Sequence, residues 1–201
     1  MKQIRRLGSA AALVGAAFLL ASCSDSPQAP TSPAATELAG ASQAGSMPAP
    51  RQPQANFEID FMTDMIDHHA MAIEMSEICL EKAVHQELRE RCQMIIETQS
   101  AEIERMQSWL SNWYGVSHEP EMKPGDMKMM ERLASLTGAD FEITFMEMMI
   151  KHHEKAIKES RHCLDKAWHE ELLQLCHDII AAQSAEIALF ESWLCQWYGR
   201  C

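Results

Sequence analysis

The feature that most constrains the fold is an internal duplication. Residues 57–115 match residues 141–199 at a constant offset of 84 positions without a gap, and 33 of the 59 aligned positions are identical. A tandem repeat predicts that one structural unit occurs twice and that the two units bury their apolar faces against each other. The sequence therefore predicts one domain over residues 57–201, made of repeat 1 (57–115), a connector (116–140) and repeat 2 (141–201).

Within each repeat the apolar residues recur every three or four positions, which is typical of amphipathic helices. Asn56 and Asp140 precede the two repeats at equivalent positions and are predicted N-caps, while Gly115 and Gly199 are predicted C-terminal stops. In the connector, the turn signals "KPGD" and "TGAD" flank a short amphipathic segment, "DMKMMERLASL". Each repeat is thus expected to be helical from its cap to its stop.

The cysteines predict where each repeat folds back. Cys79 and Cys92 lie at equal distances from a turn centred near His85 and Gln86, whereas in one continuous helix they would be about 20 Å apart, too far to bond. Six cysteines follow Cys23, and in an exported chain an even number indicates disulfides. Two helical hairpins, each closed by a disulfide, predict an all-α four-helix bundle. The predicted pairs are Cys79–Cys92 and Cys163–Cys176, whereas Cys195 and Cys201 pair either with each other or between molecules.

The N-terminus has the pattern of a bacterial lipoprotein signal. A basic start, an apolar run and the motif Leu-Ala-Ser-Cys predict a signal peptide at 1–22 and lipidation of Cys23; a plain signal peptide is the alternative. Residues 23–56 are rich in Pro, Ala and Ser and predict a disordered tether. Cleavage would lower the net charge from −12 to −15, which disfavours nucleic-acid binding. The predicted location is the cell envelope, with the lipid as the only membrane contact.

A paired histidine occurs in both repeats, flanked by methionines in "MTDMIDHHAMAIEM" and "FMEMMIKHHEKAI". Two consecutive histidines on or beside an apolar stripe are costly to bury without partners. Imidazole nitrogen and thioether sulfur are neutral donors that favour copper, above all Cu(I), over hard cations. The alternative is that these residues simply fill the helical core. The predicted metal donors are Met65, His68, His69, Met75, Met106, Met149, His152 and His153.

The two repeats differ in their donors. Met71, Met75 and Met106 of repeat 1 correspond to Lys155, Glu159 and Phe190 in repeat 2. Repeat 2 therefore forms a weaker site, contributes to a shared central site, or has a structural role only. Inward polar residues on the second stripe are predicted to orient the imidazoles, with ordinary interhelical hydrogen bonding as the alternative. These residues are Gln99, Glu102, Gln183 and Glu186.

Other chemistries fit the sequence less well. A carboxylate-bridged di-iron bundle needs Glu-x-x-His on two helices, and this chain has it once, at Glu159 to His162. The Cys-x-x-Cys-His motif of covalent haem, glycine-rich phosphate loops and Ser-His-Asp signatures are absent. Haem held non-covalently by Met and His stays an alternative, but the sequence predicts no organic cofactor and no catalysis.

The segments "DFMTDMIDHHAMAIEM", "QSAEIERMQSWL" and "GADFEITFMEMMIKHHEKAI" resemble the bacterial family called domain of unknown function 305. The resemblance covers residues 57–199. It implies an exported protein, often a lipoprotein, with a ferritin-like helical bundle, and some members are linked to copper binding and copper tolerance through Met and His residues. The paired cysteines are not part of the family pattern.

Together these features predict an envelope lipoprotein that binds copper for sequestration, tolerance or delivery, with a protein partner in copper handling as a further expectation. Two alternatives stay open. One is a structural or sensory envelope module without metal, and the other is a haem or iron redox protein.

Overall fold

The computed structural model describes residues 49–201, and in this range the chain forms five helices. The first hairpin consists of α1 (Gln52–Lys82) and α2 (Gln86–Tyr114), and the second of α4 (Gly138–Lys166) and α5 (Glu170–Tyr198). Helix α3 (Pro124–Ser135) lies in the connector, where the short amphipathic segment was expected. The predicted all-α bundle of two hairpins is confirmed. The signal segment, Cys23 and residues 24–48 of the tether lie outside the described residues, and none of the five helices is long and apolar enough to cross a membrane.

The helix ends agree with the sequence prediction only at their C-termini. Gly115 and Gly199 follow α2 and α5 with φ of 66° and 65°, the left-handed conformation that glycine adopts without strain. The predicted N-caps Asn56 and Asp140 are wrong, because both lie inside helices that begin at Gln52 and Gly138. A proline lies in the first turn of α1, where a backbone N–H would have no partner within the helix, so its missing N–H does no harm. The helix therefore includes residues 52–56, which the sequence assigned to the tether.

Three disulfides close the fold. Both predicted pairs, Cys79–Cys92 and Cys163–Cys176, are confirmed, and each joins the two helices of one hairpin next to its turn. The turns are three residues long, at 83–85 and 167–169. Cys195 bonds to Cys201, so of the two alternatives for this pair the structure has the intramolecular one. All six cysteines of residues 49–201 are therefore in disulfides.

The two hairpins pack with α1 antiparallel to α4. Near one end of the pair the Phe57 ring contacts the His162 ring at a centroid distance of 5.4 Å, and near the middle His68 lies against His152. Each of two core clusters combines both repeats: one joins Met75, Leu88 and Ile95 to Phe141, Phe145 and Phe190, and the other joins Met62, Ile66 and Leu110 to Leu172, Cys176 and Ile179. Neither repeat has a complete core of its own.

A buried carboxylate from each hairpin holds the turn of the other. Glu58 of α1 is fully buried and accepts hydrogen bonds from the backbone N–H groups of Trp168 (2.5 Å) and His169 (2.8 Å). It also pairs with Nδ1 of His169 at 2.6 Å and accepts a hydrogen bond from the Tyr114 hydroxyl. Burial alone would raise the pKa of Glu58, but these hydrogen bonds outweigh it and the pKa lies below its usual value.

The second repeat reproduces this arrangement in reverse. Glu142 of α4, also fully buried, accepts hydrogen bonds from the N–H groups of Val84 (2.6 Å) and His85 (2.8 Å), pairs with Nδ1 of His85 and accepts from Tyr198. Its pKa is lowered for the same balance of reasons. The hairpins are thus locked to each other by two equivalent carboxylates, which fixes the register of α1 against α4.

We expect Glu58→Gln to destabilise the protein by about 2–3 kcal/mol, because the buried charge that serves four partly buried donors is lost. Glu142→Gln should cost a similar amount, since its contacts are equivalent. The measurement is urea unfolding at pH 7, with Glu154→Gln on the exposed face of α4 as the control. Equal stability of the Glu58 and Glu154 variants would contradict the prediction.

The same carboxylates predict a pH dependence. A carboxyl group whose pKa is lowered by folding contributes stability above its ordinary value of 4.5, and this contribution is lost as the pH falls through the lower folded-state pKa. Between pH 6 and pH 3 the stability of the wild type should therefore fall more steeply than that of the double variant Glu58→Gln, Glu142→Gln. Parallel stability curves in urea titrations across this range would show that the two groups do not carry the effect.

Candidate metal centre

The first histidines of the two pairs meet at the middle of the bundle. His68 of α1 and His152 of α4 stack face to face, with ring centroids 3.6 Å apart and planes inclined by 28°. They occupy equivalent positions of the two repeats, so the approximate twofold axis that relates the hairpins passes between the rings. One centre therefore receives an imidazole from each repeat.

These two imidazoles are neutral and have free lone pairs. None of their four ring nitrogens has a hydrogen-bond partner within residues 49–201. Burial, with smaller contributions from His69 and Lys155, lowers the pKa of His68 to about 3, and burial also lowers the pKa of His152 well below 6.5. Buried polar groups without partners are rare in proteins, and an ion bound at the edge of each ring, in line with a nitrogen lone pair, would supply a missing partner. A neutral imidazole nitrogen is also the form that coordinates metals.

A cavity of about 620 Å³ opens beside the stacked rings and contains several thioethers. Met65, Met71 and Met75 line it from α1, Met148 from α4 and Met129 from α3. Met75 is fully buried, and Met65 is 3% exposed. The cavity thus combines nitrogen and sulfur donors from both repeats and from the connector.

The two repeats contribute different chemistry to this one cavity. Met71 and Met75 line it from repeat 1, and their counterparts Lys155 and Glu159 line it from repeat 2. Of the three alternatives for repeat 2, the arrangement of His68 and His152 corresponds to the shared central site. Its thioethers come mainly from repeat 1, whereas its charged groups come from both repeats and from the connector.

The second histidines of the pairs face away from this cavity. His69 Nε2 lies 2.8 Å from Glu102 Oε2, and His153 Nε2 lies 2.7 Å from Glu186 Oε2. Glu102 and Glu186 thus pair with these two rings and not with the stacked pair. Both rings are fully buried, and their Nδ1 atoms have no partner among the described residues.

Both carboxylates line a smaller cavity of about 260 Å³ between α2 and α5, together with Gln99 and Gln183. The two glutamine side chains are 3% exposed, and neither Oε1 atom has a protein partner in the described part of the chain. The glutamines therefore do not orient the imidazoles through these oxygens. Arg91 also lines this cavity, 3.6 Å from Glu186.

The expected donors are therefore divided between places. Met65, His68, Met75 and His152 line the large cavity, whereas His69 and His153 pair with carboxylates and Met106 and Met149 are fully buried outside the cavity lining. The eight predicted metal donors did not include Met71, Met129 and Met148, although Met71 is one of the methionines that distinguish repeat 1 from repeat 2. Met71 lies one helical turn from His68, so helical spacing alone could have predicted that it lies near this ring. The positions of Met148 and Met129 could not be predicted in this way, because they depend on the register between the hairpins and on the position of α3.

Within residues 49–201 no group of three or more His, Cys, Asp or Glu side chains is placed to hold a metal ion. What the large cavity offers is two neutral imidazoles with thioethers, a donor set for soft monovalent ions.

The fold and this centre define a class of duplicated, antiparallel four-helix-bundle proteins with a cavity lined by histidine and methionine. The chain belongs to the family Domain of unknown function (DUF305), whose model matches residues 58–194. No curated protein sequence matches the chain.

Solved structures include similar folds. CopM in the Cu(I)-bound form is 32% identical with a TM-score of 0.64, covering 71% of this chain and 98% of its own. CopM in the Cu(II)-bound form is 33% identical with a TM-score of 0.64, covering 70% and 97%. A DUF305 fragment from Deinococcus radiodurans is 25% identical with a TM-score of 0.62, covering 70% and 96%.

The burial of the stacked pair predicts its titration. In the folded, metal-free protein the His68 ring should remain neutral from pH 7.5 down to pH 5, because its pKa is about 3. In urea the same ring should titrate near 6.5. Imidazole nitrogen shifts, assigned with a His68→Gln variant, measure both states. Protonation of the folded-state ring at pH 6 would contradict the described burial.

Proposed function

We propose that the protein binds Cu(I) as a cargo ion in the cavity between α1 and α4. The observation that carries this proposal is the stacked pair His68 and His152, whose four ring nitrogens are buried, neutral and without partners beside the thioethers of Met65 and Met75. A pair with this environment costs free energy in the absence of a ligand. A coordinated ion would remove part of that cost by accepting one nitrogen lone pair from each neutral ring.

The donor types favour Cu(I) over other ions of the cell envelope. Imidazole and thioether are neutral, so they compensate little positive charge, which suits a monovalent ion better than Zn²⁺ or Ca²⁺. Thiolate ligands are not available from residues 49–201, because all six cysteines there form disulfides. Thioethers do not form disulfides and keep their donor sulfur in an oxidising compartment. The copper-bound structures of CopM, a similar protein, support copper as the ion.

The ligand set in this proposal is His68 and His152 with Met65, Met71 and Met75. It adds Met71 to the donors that the sequence predicted. It leaves out Met106 and Met149, which do not line the cavity, and the histidines that pair with carboxylates, His69 and His153.

His69 and His153 follow the stacked histidines directly in the sequence. Glu102 and Glu186 pair with them on the side of α1 and α4 that faces away from the cavity. A helix whose second histidine is fixed in this way cannot rotate about its axis without breaking a buried pair. We assign to Glu102 and Glu186 the role of fixing the rotation of α1 and α4 that points His68 and His152 into the cavity.

The biological role that follows is sequestration, tolerance or delivery of copper in the cell envelope, without catalysis. The lipoprotein-signal pattern at the N-terminus supports this location, and in this proposal Cys23 is the lipid anchor and residues 24–51 link it to α1. A carrier on such a linker would reach partners near the membrane surface.

Anaerobic Cu(I) titration tests the ligand set. We expect the double variant His68→Leu, Met75→Leu to bind Cu(I) at least about tenfold more weakly than the wild type, because each substitution removes a donor. Leucine preserves the apolar volume at Met75. Affinities are measured by competition with a chromophoric Cu(I) chelator, with disulfides intact and ascorbate as the reductant.

The matched control is Met106→Leu, which removes a fully buried thioether of the same repeat that does not line the cavity. Its affinity should equal that of the wild type. Equal affinities for the double variant and the control would remove these donors from the site. Purified protein that contains iron or shows a Soret band, and does not bind Cu(I), would favour the redox alternative.

A further inference from the structure

One cavity-lining thioether comes from outside both repeats. Met129 belongs to α3, and it lines the cavity that contains His68 and His152. Its side chain is 37% exposed, whereas Met65 and Met75 of the same cavity are 3% and 0% exposed. Met129 is therefore a sulfur donor that contacts both the cavity and solvent.

Helix α3 holds this side chain in a defined position. The neighbouring residue Met130 is 5% exposed and Leu133 is fully buried, and both belong to the core cluster of α1 and α4. The segment before α3 is fixed to α1, because Asp67 accepts a hydrogen bond from the Glu121 N–H (2.9 Å) and pairs with His118 Nε2 (2.8 Å). Met129 thus lies at the rim of the cavity on an element anchored at both ends.

The charge of the cavity lining favours the approach of cations. Acidic side chains outnumber basic ones by six to three, which gives the surroundings a negative potential. Five of the six acidic residues are exposed or half-buried positions of α1 and the connector. The acidic residues are Asp60, Asp64, Asp67, Glu121, Asp126 and Glu159, and the basic ones are Lys123, Lys151 and Lys155.

We propose that Met129 is the exchange ligand through which Cu(I) enters and leaves the cavity; this inference rests on the proposed function. A bond from copper to the Met129 sulfur forms as a bond to one interior donor breaks, and a donor of the incoming or outgoing carrier then replaces an interior ligand. Copper stays monovalent throughout, and no proton is transferred. The partner is accordingly a carrier that presents soft donors, thiolate or thioether, and that can reach an exposed sulfur.

An exchange ligand and a ligand that stays bound to the stored ion, here called a resident ligand, have different effects on rates and affinity. Because an exchange ligand is bound only during transfer, its loss slows loading and release to the same degree and leaves the dissociation constant unchanged. Loss of a resident ligand weakens the affinity, mainly through faster release. Kinetics and equilibrium measured together therefore separate the two roles.

The test compares Met129→Leu with Met127→Leu in the full mature chain with its disulfides intact. Met127 lies on the same helix and is 46% exposed, but it does not line the cavity. Transfer of Cu(I) to and from bicinchoninate is followed anaerobically by the absorbance of the chelator complex. For Met129→Leu we expect both rates to fall at least about fivefold with a dissociation constant within about twofold of the wild type, and for Met127→Leu no change.

A third variant, Met129→His, separates donor chemistry from shape, because it restores a soft-to-borderline donor in place of leucine. Its rates should recover towards the wild type. Unchanged rates in Met129→Leu, a weakened affinity with an unchanged loading rate, or no recovery with histidine would each overturn the exchange role. A wild type that does not bind Cu(I) in the same titration would instead overturn the proposed function.

Discussion

The two carboxylates that cross between the hairpins are the interaction on which the rest of the structure depends. Glu58 holds the turn of the second hairpin and Glu142 holds the turn of the first, each through two backbone N–H groups and a histidine. A tyrosine of the glutamate's own hairpin donates a further hydrogen bond to each carboxylate. A buried carboxylate is stable only where its acceptor capacity is filled, so neither contact tolerates a shift of the helices. This fixed register brings His68 level with His152. The meeting of the two rings is therefore a consequence of contacts near the ends of the bundle.

The two stacked imidazoles reduce the free energy of unfolding, and the rest of the fold offsets this loss. Two imidazoles without hydrogen bonds oppose folding, and the surrounding packing and the disulfides Cys79–Cys92 and Cys163–Cys176 supply the compensating stability. The second imidazole of each pair has a different environment, because a carboxylate forms a hydrogen bond with its Nε2 atom. Adjacent residues of one helix point about 100° apart, so a His-His pair presents one ring to the cavity and one to the neighbouring helix. Each ring then has a separate task.

Much of the fold followed from the sequence, because its signals are local or repeated. The offset of 84 indicated two equivalent units, the cysteine spacing located the turns, and Gly115 and Gly199 marked the helix ends. The N-terminus of α1 was misassigned because a proline in the first turn of a helix also occurs in linkers. The sequence indicated His and Met as the chemistry but not which of them converge. That selection depends on the register of α1 against α4 and on the position of α3, and both result from long-range contacts such as those of Glu58, Glu142 and Leu133.

The placement of the stacked rings on the approximate twofold relation between the hairpins has an evolutionary consequence. In a homodimer of single hairpins, every substitution near the axis would appear on both sides at once, so a lysine introduced opposite a methionine would remove both methionines. A fused chain is free of that coupling. It can keep Met71 and Met75 on one side of the cavity while Lys155 and Glu159 occupy the other, so selection can act on each half separately.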